Sequence, residues 1–258
     1  MKKIKFLHWN INQKEETSKT PAMIIGEIMR KDADVIILTE FLKTDNYKEI
    51  LYMPLKYCGY EVFLDPRPPK EKIRQVLIAV RLEIIKNQET DPIYLSDNEG
   101  NIKYGKYPNF LRIDLNIDSE SFSIIGTRIR IWKSSGEEEQ IRRKDQFISL
   151  LQSIPKDRNI IMMGDFNISD DRMYKKPGSK WHFDYDYNKG LMSKGLKYIP
   201  IVGNIYSPFK SKLKLDHLVV SDNLKVESSA YYYNESWPSS GLNNPDHSIS
   251  FAEIIVTQ

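Results

Sequence analysis

Several apolar runs in this chain end in side chains that could bind a cation or carry a proton. The clearest is IIMMGDFNI, residues 160–168, where an apolar run leads through Gly164 to Asp165, Phe166 and Asn167. If the chain stays extended through Phe166, its two-residue period places Asp165 and Asn167 on the same side. Glycine at 164 lets the backbone turn or pass close to a neighbour. The run therefore predicts that the Asp165 carboxylate and the Asn167 amide, an anion and a neutral hydrogen-bond donor, lie close together.

Four other apolar runs end at, begin at or are interrupted by polar side chains of similar kinds. These side chains are Asn10 after KFLHW, Glu40 at the end of VIILTE, Asp216 and His217 within KLKLDHLVV, and Asp246 and His247 at the start of the run that continues SISFAEII. In a mixed sheet, the end of one strand and the start of an antiparallel neighbour lie on the same rim. All five groups could therefore meet at one edge.

Such a set of side chains suits the hydrolysis of a phosphodiester. The leaving phosphate accumulates negative charge, which a hard divalent cation on carboxylate oxygen stabilises together with amide and imidazolium donors. Carboxylate and amide ligands without thiolate favour Mg²⁺ or Mn²⁺ over Zn²⁺. The net charge of +3 permits an anionic substrate without requiring one.

The composition predicts one folded domain over residues 1–258. Hydrophobic residues make up 40% of the chain and charged residues 28%, which excludes disordered and fibrous proteins. Cys58 is the single cysteine, so an intramolecular disulfide and a cysteine-based metal cluster are excluded, and a cytoplasmic location is expected. The first apolar run breaks at His8 and Asn10, and no run reaches the ~20 apolar residues of a membrane span, so neither secretion nor insertion is expected.

Periodicity and turn residues predict many strands with helices between them. The chain opens with a strand at 4–9, a helix at 22–31 and a buried strand at 34–40. The clearest helix covers 137–154, with acidic residues first and basic residues after them. The remaining predictions are strands at 60–64, 75–81, 82–86, 110–118, 121–132, 159–167, 214–222, 225–233 and 247–256, a weaker helix at 45–56, and long loops at 87–108 and 169–187.

These elements indicate the layer architecture. Several strands are joined by turns too short for a parallel crossover, which excludes a purely parallel sheet. Many strands with interspersed helices instead predict two packed sheets with helices outside. Trp9, Phe41 and Phe166 are expected in the core and His217 on the surface or on a sheet face, while His8 and His182 receive no role.

The polar runs, in this order, resemble a known family. They are HWNIN (8–12), VIILTEF (35–41), MMGDFNI (162–168), LDHLVVS (215–221) and NPDHSISF (244–251). They resemble the endonuclease/exonuclease/phosphatase superfamily of deoxyribonuclease I, exonuclease III and the abasic-site endonucleases, over almost the whole chain. The resemblance implies an α/β (α+β) fold, a four-layer α/β/β/α sandwich of two mixed sheets with outer helices. It also implies a phosphoesterase dependent on Mg²⁺ or Mn²⁺.

The same resemblance implies roles for the first four polar residues. Glu40 looks like the principal metal ligand, with Asn10 beside it at the metal and the substrate. Asp165 resembles the residue that activates or orients the attacking water, or protonates the leaving oxygen. Asn167 resembles the donor that holds the phosphate.

His247 resembles the essential histidine of the family, with Asp216 as its carboxylate partner. A carboxylate on one imidazole nitrogen fixes the tautomer and raises the pKa of the imidazole, so such a histidine can be cationic near neutral pH. Asp246 could bind the metal or a water. Which of these groups acts as the general base is left open.

One position departs from the family pattern. Within SIIGTRIRI, Arg128 stands where the family commonly carries a histidine, or a tyrosine in the abasic endonucleases. Arginine cannot act as an acid or a base, but it can bind phosphate oxygens with two hydrogen bonds and stabilise charge in the transition state. Arg128 is therefore predicted to bind substrate and assist catalysis. Its presence suggests that this protein differs from these family members either in its substrate or in how the catalytic roles are divided among the site residues.

Three functions are compatible with these motifs. The first is a nuclease acting on DNA or RNA, as a monomer, and the loop at 170–187, rich in Lys and aromatic residues, could stack bases or be plain surface. The second is a phosphatase or phosphodiesterase of phospholipids, inositol phosphates or other small phosphoesters, although no amphipathic membrane segment is present. The third, a binding protein without turnover, is disfavoured because the core motif residues are all present.

Overall fold

The computed structural model describes ten segments of the chain. They are residues 2–14, 19–64, 74–86, 88, 90–95, 107–131, 137–168, 185–203, 213–233 and 244–256. The predicted loop at 87–108 lies mostly outside these residues, as do His182 and most of the stretch 169–187. Among the described residues, no helix combines the length and the apolar character that a membrane span needs.

The described strands form two mixed sheets. Their bounds are β1 Lys2–Asn10, β2 Val35–Phe41, β3 Tyr60–Leu64, β4 Gln75–Arg81, β5 Asn109–Ile117, β6 Glu120–Arg128, β7 Asn159–Asp165, β8 Leu196–Ile199, β9 Asp216–Ser221, β10 Lys225–Tyr232 and β11 Ile249–Val256. The first sheet has the order β10-β11-β1-β2-β4-β3 and the second the order β5-β6-β7-β9-β8. Parallel pairing occurs between β1 and β2 and between β6 and β7, and the neighbouring pairs are antiparallel.

Helices cover the outer faces of the two sheets, and one short helix packs into the core between them. Their bounds are α1 Met23–Lys31, a π-helical turn Lys48–Tyr52 that continues into α2 Met53–Tyr57, α3 Leu82–Ile85, α4 Glu137–Gln152 and α5 Tyr185–Met192. Helices α1 and α2 contribute Ile28 and Leu55 to a core on the first sheet, and α4 and α5 contribute Leu150 and Leu191 to a core on the second. A third core lies between the sheets. The predicted sandwich with outer helices is therefore confirmed.

Strand β7 shows why its sequence is apolar on both sides. Ile161 and Met163 pack in the core between the sheets, while Ile160 and Met162 pack against the helices. A strand buried on both faces reads as a continuous apolar run, and its polar residues can stand only at its ends.

Three elements differ from the sequence predictions. The run predicted as a strand at 82–86 is helix α3, whose Ile84 and Ile85 pack into the core between the sheets. A short apolar run has no periodicity that separates a strand from a helical turn, so tertiary packing decided it. Helix α5 and strand β8 were not predicted at all. Trp9, Phe41 and Phe166 are fully buried, as expected.

Two glycines allow the close approaches on which the sandwich depends. An added Cβ at Gly164 would lie 1.9 Å from the carbonyl oxygen of Thr127 on β6, and at Gly126 it would lie 2.5 Å from Val76 of the other sheet. Gly164 thus sets the contact between neighbouring strands, and Gly126 sets the distance between the sheets. Both lie within two residues of predicted site residues.

Gly164→Ala should therefore lower the free energy of unfolding by about 2–3 kcal/mol, because a backbone oxygen cannot move aside as a side chain can. Gly26→Ala is the matched control: no atom lies within 4 Å of its added Cβ, and the residue is inside α1. This variant should gain about 1 kcal/mol from helix propensity. Urea unfolding measures the free energy of unfolding of both variants. Equal stability of Gly164→Ala and wild type would contradict the close contact between Gly164 and the Thr127 carbonyl oxygen.

Candidate active site

The ends of β1, β2 and β7 bring three predicted site residues into direct contact. The Asn10 Nδ2 atom donates to Glu40 Oε1 at 3.3 Å and to Asp165 Oδ2 at 2.9 Å. Asn10 and Glu40 belong to the first sheet and Asp165 to the second, so one amide connects two carboxylates across the sandwich. These three side chains therefore lie together at one edge of the sandwich, as expected. The Asn10 oxygen accepts the backbone N–H of Asn12 at 3.0 Å, so its nitrogen faces the carboxylates.

Glu40 adopts an unusual backbone conformation. Its φ angle is 54°, in the left-handed region that residues with a side chain rarely adopt. The pairing of β2 with β4 shifts register between Leu38 and Phe41, on either side of this residue. Because Phe41 and Leu38 are fully buried, their packing holds Glu40 in place. Such backbone strain is found preferentially at functional sites.

Asp165 and Asn167 contact each other through a turn. Strand β7 ends at Asp165, and Asn167 has a φ of 52°, so the chain does not stay extended through Phe166. The backbone N–H of Asn167 donates to Asp165 Oδ1 at 2.9 Å, and its Nδ2 donates to Asp165 Oδ2 at 3.0 Å and to the Ile129 carbonyl at 2.7 Å. The expected convergence is present, but an Asx-type turn produces it instead of the strand period.

Asp216 and His247 form the expected pair. The His247 Nδ1 atom lies 2.8 Å from Asp216 Oδ2. The pair is anchored by Trp9, whose Nε1 donates to the His247 carbonyl at 3.0 Å, and by Tyr231, whose hydroxyl donates to the Asp216 carbonyl at 2.6 Å. Burial alone would lower the pKa of His247, but the carboxylates around it, Asp216 first and then Asp165 and Asp246, together outweigh burial and raise it to about 10. Burial alone would raise the pKa of Asp216, and the cationic imidazole instead holds it below its usual value.

The Asp216–His247 pair lies beside Asp165. Asp165 and Asp216 are directly paired in the register of β7 and β9. Burial raises the pKa of Asp165 and the nearby Asp216 charge adds to this, while the charges of His247 and Arg128 act in the opposite direction. Asp165 is therefore a buried carboxyl group whose pKa lies above its usual value.

Two arginines contact the carboxylates. Arg128 Nη2 lies 2.6 Å from Glu40 Oε1, and its Nε lies 3.5 Å from Asp165 Oδ2. Arg74, immediately before β4, contacts Glu40 Oε2. Sequence reasoning did not single out Arg74, and the one signal available was a basic residue directly before the apolar run QVLIAV.

Asp246 lies at the more open side of the site. Its Oδ1 atom is 3.9 Å from His247 Nε2, and about a fifth of its side chain is exposed, 19%. Its charge also acts on Arg74 and Arg128, because it raises the pKa of both guanidinium groups against the larger effect of burial. Asp246 therefore lies close enough to both arginines for its charge to affect them.

The remaining histidines of the described chain have structural contacts. His217 is fully buried, and its Nε2 donates to the Ile168 carbonyl at 2.6 Å. His8 is also fully buried, and its Nε2 lies 3.0 Å from the Thr39 hydroxyl. Burial lowers the pKa of His8 to about 4, so its imidazole is neutral near pH 7. His217 lies on a sheet face, as expected, and neither residue takes part in the carboxylate contacts of Asn10.

A hard divalent cation is compatible with the donors of this site, although they do not form a closed cage. Among the described residues, no three His, Cys, Asp or Glu side chains come together as a metal cluster. Mg²⁺ commonly binds one or two carboxylates and leaves its other positions to water and substrate phosphates. Glu40 could supply one such carboxylate, and Asp246, whose charge acts on the two arginines that contact Glu40, could supply a second.

A buried group of carboxylates, amides, guanidiniums and an imidazole at the edge of a two-sheet sandwich is suited to phosphoester hydrolysis. The model of the Endonuclease/Exonuclease/phosphatase family matches residues 7–239. The chain therefore belongs to this family of phosphoesterases, as its motifs implied. No curated protein sequence matches the chain.

Solved structures share the fold over nearly the whole chain. TDP2 of D. rerio, complexed with single-strand DNA product, has a TM-score of 0.65 and 14% identity, covering 98% of this chain and 99% of that one. The human Nocturnin catalytic domain has a TM-score of 0.67 and 18% identity, covering 99% of this chain and 94% of that one. An endonuclease/exonuclease/phosphatase from Bacteroides vulgatus has a TM-score of 0.73 and 12% identity, covering 100% of both chains. At these identities, the likeness shows a common fold.

The Asp216–His247 pair should make stability depend on pH. The pKa of His247 is raised from 6.5 to about 10 on folding, so the pair stabilises the folded state fully below about pH 6.5 and loses this contribution as the pH rises towards 10. The difference in free energy of unfolding between wild type and Asp216→Asn should shrink over that range in urea titrations with EDTA. The control is Asp118→Asn, which removes an exposed carboxylate 3.0 Å from Lys86. A difference for Asp216→Asn that is constant with pH would show that His247 is not cationic.

Proposed function

We propose that this protein is a divalent-metal-dependent phosphodiester hydrolase that cleaves nucleic acid. The observation that carries the proposal is the Asn10 amide, which joins Glu40 and Asp165 across the two sheets at 3.3 and 2.9 Å. Around these carboxylates lie Arg128 and the Asp216–His247 pair. This arrangement combines a cation-binding carboxylate, a proton-exchanging carboxyl group and two fixed positive charges.

In the proposed mechanism, Glu40 would hold Mg²⁺ or Mn²⁺, with Asp246 as a neighbouring ligand of the cation or of its water. The bound cation would act as a Lewis acid toward a phosphoryl oxygen. Asp165 would exchange a proton with the attacking water or the leaving oxygen. The His247 imidazolium, oriented by Asp216, would stabilise the negative charge that develops on the phosphorus-bound oxygens.

The two asparagines act mainly by orienting Asp165. The Nδ2 atom of Asn167 donates both to Asp165 and to the Ile129 carbonyl, and the Nδ2 atom of Asn10 donates to two carboxylates. These amides fix the rotamer of a buried carboxyl group, so its oxygen points consistently at the reacting atoms. Direct phosphate binding by Asn167 or Asn10 would require one of these hydrogen bonds to be exchanged.

Arg128 provides positive charge where many family members carry a histidine or tyrosine. Its guanidinium is buried and contacts both carboxylates, so it cannot exchange protons at neutral pH but can bind a phosphoryl oxygen. Proton exchange would then depend on Asp165. A nucleic-acid substrate is supported by the family and by TDP2, whose structure holds single-strand DNA product.

A smaller phosphoester is the second candidate. Three cationic side chains, Arg74, Arg128 and His247, lie among the carboxylates, and together with a bound divalent cation they could contact the oxygens of a doubly charged terminal phosphate. ANGEL2, a 2',3'-cyclic phosphatase, shares the fold with a TM-score of 0.65. We propose a cytoplasmic, monomeric, one-domain enzyme in either case, since a chain with a single cysteine needs no oxidising compartment.

The activity is tested with plasmid, single-stranded DNA, abasic duplex and RNA, each with Mg²⁺, Mn²⁺ or EDTA. Inositol polyphosphates and nucleoside 2',3'-cyclic phosphates test the second candidate. Cleavage should require the metal, and Glu40→Gln, Asp165→Asn and His247→Ala should each lower kcat/KM by about 10²-fold or more. Asp118→Asn, an exposed carboxylate outside the site, should keep wild-type activity. The proposal fails if no substrate is cleaved with either metal, or if the three variants retain full activity.

A further inference from the structure

Both carboxylate oxygens of Glu40 face a guanidinium group. Arg128, at the end of β6 in the second sheet, lies 2.6 Å from Oε1. Arg74, just before β4 in the first sheet, contacts Oε2. The side chain best suited to hold a divalent cation is thus already neutralised by two cations of the protein. A metal ion that binds Glu40 must replace at least one of them, because like charges repel at these distances.

The position of Arg74 is built into the sandwich. The Asn109 Nδ2 atom donates to the Arg74 carbonyl, and the Thr127 hydroxyl donates to the Asn109 carbonyl at 3.0 Å. Asn109 is also the register partner of Arg128 across β5 and β6. One buried asparagine therefore positions the backbone of both arginines at the join between the sheets.

The two guanidinium groups are held unequally. Arg128 has 14% of its side chain exposed and also approaches Asp165, with 3.5 Å between its Nε and Asp165 Oδ2. The Arg74 side chain is more exposed, at 24%. Burial and the nearby charge of Arg128 together lower the pKa of Arg74 to about 10, so its guanidinium is still cationic at neutral pH. Arg74 is the arginine that an incoming cation displaces at the smaller cost.

We propose that Arg74 occupies the cation position on Glu40 in the metal-free protein and is displaced when a divalent metal binds, which leaves its guanidinium to bind an anionic oxygen of the substrate. This rests on the cation site of the proposed function. It makes Arg74 a positioning residue that couples metal binding to substrate binding. Arg128 and Asn10 contact only the Oε1 atom of Glu40, so Arg74 keeps the buried Oε2 atom paired with a positive charge before the metal arrives.

The first test is isothermal titration of the full chain with Mn²⁺ alone. Arg74→Met removes the competing guanidinium and should lower the Kd for Mn²⁺ by about tenfold or more, the scale of one charge-assisted hydrogen bond. Arg74→Gln, which is neutral and polar, should shift the Kd in the same direction and serves if the Met variant folds poorly. Adding Glu40→Gln to Arg74→Met should remove the gain, which locates the cation at Glu40.

The matched control is Arg81→Met. Arg81 stands at the other end of β4 and makes an ion pair with Asp32, so its loss removes an equal charge without touching Glu40. Its Kd for Mn²⁺ should equal that of wild type. A folded Arg74→Met or Arg74→Gln protein with an unchanged or weaker Kd would overturn the proposal, as would the absence of Mn²⁺ binding to every variant.

A second readout separates this inference from the proposed hydrolysis. On whichever substrate is cleaved, Arg74→Met should raise KM at saturating Mn²⁺ with a smaller change in kcat, because the freed guanidinium binds substrate. An unchanged KM would overturn the substrate-binding role. If no substrate is cleaved at all, the proposed function fails, while a tighter Kd for Mn²⁺ in Arg74→Met still supports displacement.

Discussion

The site depends on compensating negative charge that is buried where the two sheets meet. Glu40 and Asp165 are only 5% and 1% exposed, and carboxylates this far from water are unstable without partners. The Asn10 amide reaches both of them, and Arg128 contacts both as well. Because the Asn10–Asp165 and Arg128–Glu40 contacts cross from one sheet to the other, the distance between the sheets also sets the geometry of the candidate site. A small change in packing would leave a buried charge without its partner.

The fold provides that distance through small residues and strained backbone. Gly126 brings β6 against the first sheet, and Gly164 brings β7 against β6, since a side chain at either position would overlap a neighbour. At the edge where the site lies, Glu40 and Asn167 adopt left-handed backbone conformations, with φ angles of 54° and 52°. Strain of this kind costs about 1–3 kcal/mol per residue, and the cores on both faces of each sheet hold it in place. Stability and site geometry therefore have the same physical source.

Local pattern was sufficient for elements whose burial is regular along the chain. The apolar run before Asp165 predicted a strand buried on both faces, and the charge order of 137–154 predicted α4. Pattern was insufficient where few residues decide the structure. Leu82–Ile85 forms a helical turn although its residues suit a strand, and the four-residue strand β8 gives no periodic signal. The turn at Asn167 likewise replaced the extended chain that the strand period suggested, because its backbone N–H binds the Asp165 carboxylate.

By itself, the sequence determined which chemical groups stand at the strand ends, since a strand buried on both faces leaves room for Glu40 or Asp165 only where it leaves the core. From those groups, in their order, it also indicated the family. Only the tertiary structure decided that Arg74 contacts Glu40 and that Asn109 positions both arginines. The reason is physical: contacts between residues far apart in the chain arise from the packing of one sheet on another, and no local period of the sequence records that packing.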